Sequence, residues 1–200
     1  MLKVSFIPVR EALRMLEGEG LVIVRPGRSA MVAPLDLDDL RAIYRLRQTL
    51  EPEIAGRSCL LLSDGDLGLL EQQAAEFAGA EQEIHEMYES HHAFHMALLQ
   101  PAATAWDIRI LTTLWRAAER YIRIGFGRLD PDPGEHKRRA QVHRELITAF
   151  RLRDPGAAAE AMHEHLARNE QTALKALEGG NSRLAAAGNA GAGSDLTPAA

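Results

Sequence analysis

The sequence contains a single cysteine, Cys59, among its 200 residues. One thiol cannot form an intramolecular disulfide and cannot supply a cysteine-based zinc site. No apolar stretch is long enough to span a bilayer, and the N-terminus lacks the apolar segment of a secretory signal. These absences exclude a disulfide scaffold and a membrane partner, and they predict a cytoplasmic protein.

The net charge of -5 argues against general nucleic-acid binding, but the charge is unevenly distributed. Residues 1–34 contain five basic residues and three acidic ones, whereas acidic residues outnumber basic ones in the remainder. A slightly basic head on an acidic body is expected when only the head contacts the phosphates of a nucleic acid.

Residues 1–34 have the pattern of a helix followed by a β-hairpin. Pro8 suits the first turn of a helix, and Gly18 and Gly20 end it. The apolar runs 21–24 and 30–33 flank a turn at 25–28 with two arginines, which predicts a hairpin with a basic tip. A single helix and a hairpin cannot form a core alone.

From residue 35 onward the apolar spacing is helical, with breaks at Ser63, Gly79 and three proline-containing turns. The predicted fold is an all-α antiparallel bundle over 35–178, preceded by a partial winged-helix segment. Residues 179–200 are rich in Gly, Ala, Ser and Asn and are predicted to form a disordered tail. The predicted helices span 36–62, 64–79, 81–100, 104–126, 136–153 and 156–178.

Histidines occupy apolar helix faces. His91 and His95 lie one turn apart in the centre of one such face, and this spacing makes a good bidentate metal chelate. Core histidines bonded to backbone or carboxylate explain the same pattern, and the residues alone leave both interpretations open. His143 also lies within an apolar face. His163 and His165 flank an apolar stripe equally, so the helical wheel does not choose between them.

Arg47 lies at the centre of the apolar face of the first long helix, with Glu51 one turn later. An intrahelical Arg–Glu pair is one interpretation. At a buried position the guanidinium is also suited to holding a ligand carboxylate through two hydrogen bonds. The residues alone are consistent with both interpretations.

Two segments resemble a known family. Residues 5–17, with the core PVREAL, and the glycine-containing turn at 25–28 resemble the recognition helix and wing of GntR-family winged-helix regulators. The remainder resembles the FCD ligand domain of the FadR-like branch. That second resemblance rests on Arg47 with Leu50-Glu51-Pro52, on Phe94-His95, on His143, and on Ala161-Met162 with His165-Leu166.

The resemblance implies a helical, dimeric domain with a central cavity, a divalent metal on an Asp and three His, and a small carboxylate effector. His95, His143 and His165 match the three histidine positions, and Arg47 matches an arginine that faces the cavity. His91 stands where the family has its Asp. An all-imidazole set favours zinc, with nickel as a second choice, over manganese.

The resemblance also implies a DNA-binding surface. The matching positions on the recognition helix and wing are Ser5, Arg10, Arg14, Gly27 and Arg28. Phe6 and Ile7 depart from the family, which has polar or basic residues there. The helices that support a recognition helix in a complete helix-turn-helix do not precede it in this sequence.

The predicted function is a metabolite-responsive, homodimeric transcriptional regulator that binds a DNA operator and a carboxylate, the latter through a metal. One alternative is an effector-binding and dimerisation module without DNA binding of its own. The other is a helical-bundle metalloenzyme, which needs inward glutamates with Glu-x-x-His spacing. Glu89 and His92 have that spacing but lie away from the centre of the apolar face. The sequence therefore predicts a regulator rather than an enzyme.

Overall fold

The computed structural model describes residues 6–25, 27, 29–77, 84–129 and 133–190. Its helices confirm the predicted all-α bundle behind a small helix-and-hairpin head. None of the described helices combines the length and apolar character required to cross a membrane. The elements are α1 Phe6–Gly18, β1 Val22–Ile23, β2 Met31–Val32, α2 Leu37–Ser58, α3 Asp64–Glu76, α4 Ile84–Leu99, α5 Ala105–Leu129, α6 Pro133–Arg151 and α7 Pro155–Ala190.

The head is built as the apolar runs predict. Strands β1 and β2 pair antiparallel, with Val22 opposite Val32 and Ile23 opposite Met31. Gly27 lies at the hairpin turn with a φ of 70°, in the left-handed region that glycine adopts without a steric penalty. The head is thus a short helix joined to a two-stranded wing.

The final helix corrects one prediction. The tail was expected to begin at residue 179, but α7 continues to Ala190. The run Leu-Ala-Ala-Ala at 184–187 consists of strong helix formers, and these propagate the helix past the glycine pair at 179–180. Residues 191–200 lie outside the described residues.

Side-chain caps set where three bundle helices begin. The Asp36 carboxylate accepts from the N–H of Asp38 at the start of α2. Ser63 and Asp66 form a reciprocal capping box at the start of α3. Thr104 and Asp107 make the same exchange before α5. Each cap satisfies backbone N–H groups that have no partner within the helix, so the breaks in the apolar pattern become helix boundaries.

Helices α2 and α7 share the largest interface in the bundle. They come into close contact at Gly56, where an added Cβ would lie 2.8 Å from the carbonyl oxygen of Pro155. The other helices pack around this pair and bury one continuous apolar core. Its largest fully buried side chains are Tyr44, Tyr121, Phe77, Phe94, Phe150, Leu40, Ile54, Leu67, Leu98, Leu99, Leu111 and Leu146.

Candidate metal centre and adjoining cavity

Four histidines from three helices converge in the bundle interior. His91 and His95 come from α4, His143 from α6 and His165 from α7. One ring nitrogen from each lies within 4.8 Å of those of the other three. His95, His143 and His165 are buried, and His91 is half-buried. The structure therefore brings together all four residues that the sequence singled out as metal ligands.

The choice between His163 and His165 is decided by how α7 packs. His165 is buried within the cluster, whereas His163 is exposed on the opposite side of the helix. The helical wheel could not separate them, because both flank the stripe formed by Met162 and Leu166. The resemblance had selected His165, and the structure places this residue with the other three.

The hydrogen bonds of His143 fix its orientation. Its Nδ1–H donates to the backbone carbonyl of Arg139 at 2.7 Å, so Nε2 is the nitrogen that carries the lone pair. No hydrogen-bond partner for that buried Nε2 occurs in the described chain. A ring held through one nitrogen, with the other aimed into a cluster, is the usual arrangement of a metal-binding histidine.

His95 and His165 approach each other through their Nε2 atoms, which lie 3.2 Å apart. Asn169 lies 2.9 Å from the same nitrogen of His165. Two lone-pair nitrogens repel at such a distance unless a proton or a cation lies between them. The Nδ1 atoms of both rings are also buried without a partner among the described residues. These ring nitrogens fit a bound cation.

Burial lowers the pKa of His91, His95 and His165 well below the ordinary value, and the neighbouring histidines and the guanidinium of Arg47 oppose protonation further. Burial also lowers the pKa of His143, to about 4. The rings are therefore neutral at neutral pH, and neutral imidazole is the form that binds metal ions. Because no carboxylate belongs to the set of four, the donors suit imidazole-preferring ions.

A cavity of about 250 Å³ opens beside the cluster, between α2, α4 and α5. His91 and His95 form part of its wall, so the cavity reaches the candidate metal position. Both cationic and carboxylate side chains line it, together with aromatic rings. The remaining lining residues are Arg47, Tyr88, Glu89, His92, Thr112, Trp115, Arg116, Glu119 and Ile122.

Arg47 belongs both to a buried ion pair and to this cavity wall. Its Nε donates to Glu51 Oε1 at 2.6 Å, and both side chains are almost completely buried. The indole of Trp115 donates to the same oxygen at 2.8 Å. Burial lowers the pKa of Arg47, but Glu51 and Tyr44 together more than offset this, and the net shift of the pKa is upward. The two interpretations of Arg47 are therefore compatible.

Sequence reasoning missed the contribution of α5. Thr112, Trp115, Arg116 and Glu119 line the cavity, yet no motif marks them. His92 was placed at the edge of its apolar face, and it packs edge-on against Trp115 with ring centroids 4.7 Å apart. These residues meet because α5 packs against α2 and α4. The spacing of apolar residues within one helix does not indicate which other helices it contacts.

The predicted DNA-binding residues lie on the surface of the head or outside the described residues. Arg10 and Arg14 are exposed on α1, and Arg14 lies 3.4 Å from Glu11. Gly27 is at the wing turn. Ser5 and Arg28 fall outside the described residues. The head therefore presents two basic side chains and its wing to solvent, well away from the histidine cluster in sequence.

Comparison with protein families agrees with this division of the chain. The model of the family described as bacterial regulatory proteins, gntR family, matches residues 1–32, and the FCD domain model matches residues 42–168. The HTH-type transcriptional repressor RspR of Escherichia coli is 28% identical over 167 residues, covering 82% of this chain and 71% of that protein.

Solved structures show the same fold. A GntR-family regulator from Pseudomonas syringae is 27% identical, with a TM-score of 0.59 and coverage of 89% of this chain and 74% of that one. McbR/YncC of E. coli has a TM-score of 0.75 at 19% identity, with 87% of each chain covered. RspR is named a transcriptional repressor and the gntR family consists of bacterial regulatory proteins, which confirms the prediction of a regulator rather than an enzyme. The chain belongs to the GntR family of bacterial transcriptional regulators and carries an FCD domain.

Proposed function

We propose that this regulator responds to a small carboxylate that binds beside a metal ion held by His91, His95, His143 and His165. The observation that supports this most directly is the convergence of four ring nitrogens within 4.8 Å of one another. Zinc is the preferred ion and nickel the second choice, because all four donors are imidazoles. When bound, the ion supplies a positive charge that attracts a carboxylate oxygen.

Arg47, which also lines the cavity, orients the ligand. Glu51 accepts a hydrogen bond from the guanidinium and is itself held by the indole N–H of Trp115, so little side-chain freedom is lost when a ligand binds. An arginine is suited to a planar carboxylate because its N–H groups form a fork of matching geometry. The polar residues of α5 then determine which carboxylate is accepted.

The output of the regulator is DNA binding by a homodimer. Arg10 and Arg14 on α1, with Ser5, Gly27 and Arg28, contact the operator through phosphates and base edges. The exposure of both α1 arginines supports this role. The effector changes operator affinity only to the extent that it binds the DNA-free and DNA-bound forms with different affinities.

One observation favours a second candidate, an effector-binding and dimerisation module without DNA binding of its own. Phe6 and Ile7, which depart from the polar or basic residues that the resemblance implies, are exposed on α1. Apolar side chains at these positions cannot donate hydrogen bonds to phosphates or base edges. A gel-shift measurement with the DNA upstream of the gene separates the two candidates. Only a protein that binds DNA itself retards the fragment.

The metal site is tested by zinc stoichiometry in a matched pair of variants. His165→Ala removes a cluster residue, and His163→Ala removes an exposed neighbour two positions away on the same helix. We expect about one zinc per chain in the wild type and in His163→Ala, and a large loss in His165→Ala. Equal zinc contents in both variants would contradict the proposed site.

The effector class is tested by calorimetric titration with acetate, succinate and citrate, before and after chelation. A ligand of the native state also raises the melting temperature by mass action. We expect at least one acid to bind the zinc-loaded protein and to lose that binding after chelation. Binding that survives chelation unchanged would remove the metal from the proposal, and no binding at all would remove the carboxylate.

A further inference from the structure

The head of the chain is attached to α5 through two arginines one turn apart. Arg120 donates from Nη1 to the carbonyl oxygens of Gly20 and Ala33, at 3.4 and 3.3 Å, and from Nη2 to that of Pro34 at 3.3 Å. These carbonyls lie just before β1 and just after β2. Arg120 therefore holds both ends of the hairpin at the base of the wing.

Arg116 makes the second attachment. Its Nη1 lies 3.7 Å from Oε1 of Glu19, which directly precedes Gly20. The same side chain lines the cavity beside the histidine cluster, next to Trp115 and Glu119. One guanidinium is therefore within reach of both the head and whatever occupies the cavity.

The contact between Arg116 and Glu19 is weak enough to be exchanged. The two side chains are 66% and 40% exposed, and solvated ion pairs of this kind contribute little to stability. An anion inside the cavity lies nearer to Trp115 and the histidines, where less water screens its charge. Such an anion competes favourably with Glu19 for the guanidinium.

We propose that Arg116 is shared between the effector and the head: a small anion in the cavity binds Arg116 in place of Glu19, and the hairpin loosens from α5. This inference rests on the proposed carboxylate-binding function and adds the residue that transmits it. Arg120 keeps the head attached, so the effect is a change in mobility rather than detachment. By reciprocity, an ion pair that opposes the anion lowers its affinity, and removing Glu19 raises that affinity.

The experiment combines hydrogen exchange of the full zinc-loaded chain with calorimetric titration, using acetate, succinate and citrate as probes. In the wild type, we expect the binding acid to speed amide exchange in the hairpin region about 1.5- to fivefold, the range of an exposed ion pair. Glu19→Gln should show the faster exchange without ligand and bind the acid more tightly by a similar factor.

Arg116→Gln should show fast hairpin exchange in all conditions and bind the acid more weakly, while Arg116→Lys retains part of the response. Arg109→Gln is the matched control, since Arg109 is also exposed on α5 but does not line the cavity. Binding without a change in hairpin exchange, or unaltered affinity in Glu19→Gln, would overturn this inference alone. If none of the three acids binds the wild type, both this inference and the proposed function fail.

Discussion

The indole Nε1 of Trp115 on α5 donates a hydrogen bond of 2.8 Å to Oε1 of Glu51 on α2. The same carboxylate oxygen accepts from Nε of Arg47 at 2.6 Å, and Glu51 has no exposed surface. A carboxylate buried to this degree is stable only when cationic and N–H donors satisfy it. The hydrogen bond between Trp115 and Glu51 therefore connects α5 to α2.

Replacement of Glu51 by Ala should strongly destabilise the fold. The change leaves the guanidinium of Arg47 buried without its counter-ion, and the loss of one partner of a buried pair costs about 3–5 kcal/mol in the free energy of unfolding. Glu53→Ala is the matched control, because Glu53 makes an exposed pair with Arg57 on the same helix. Urea unfolding of both variants measures the difference, and similar losses would argue against a buried ion pair.

Trp115→Phe isolates the hydrogen bond from the packing of the ring. The phenyl group keeps most of the aromatic surface but removes the N–H donor to Glu51. We expect a loss of about 1.5–3 kcal/mol, the range for a hydrogen bond to a charged group. Trp106→Phe on the exposed start of α5 should change stability by less than about 0.5 kcal/mol. Equal effects in the two variants would mean that the indole N–H contributes nothing.

His91→Asp should change metal preference rather than abolish metal binding. The variant places a carboxylate in the histidine cluster, at the position where the family resemblance implies an Asp, and oxygen donors suit harder ions such as manganese. We expect the manganese-to-zinc ratio, measured by elemental analysis after equilibration with both ions, to rise relative to the wild type. An unchanged ratio would indicate that His91 is not a ligand.

Gly56→Ala should disturb the α2–α7 interface. The new Cβ would lie 2.8 Å from the carbonyl oxygen of Pro155, which is backbone and cannot rotate away. Overpacking of this kind costs about 1–3 kcal/mol.

Gly68→Ala provides the comparison for this substitution. Gly68 lies within α3 and has open space where a Cβ would be added, so alanine should stabilise the helix by about 0.5–1 kcal/mol. Thermal unfolding of the two variants should thus shift in opposite directions. Stabilisation of both variants would show that residue 56 has room for a Cβ beside the carbonyl oxygen of Pro155.

Much of the metal-centre prediction needed only local pattern. His91 and His95 lie one turn apart on an apolar face, and the period of the α-helix alone requires both to point inward. The same reasoning placed His143 inward on α6. It also placed Arg47 and Glu51 on one face of α2, where the ion pair is found.

The sequence by itself determined the helical elements, their inward histidines and the family resemblance, because these depend on residue types and spacings within single segments. Tertiary structure decided the rest. His165 joins the cluster and His163 does not because of the rotation that α7 adopts against α2. Arg116 meets both the cavity and Glu19 because α5, a helix of the bundle, also lies beside the head. The crossing of helices is set by the packing of many side chains at once, and no local period encodes it.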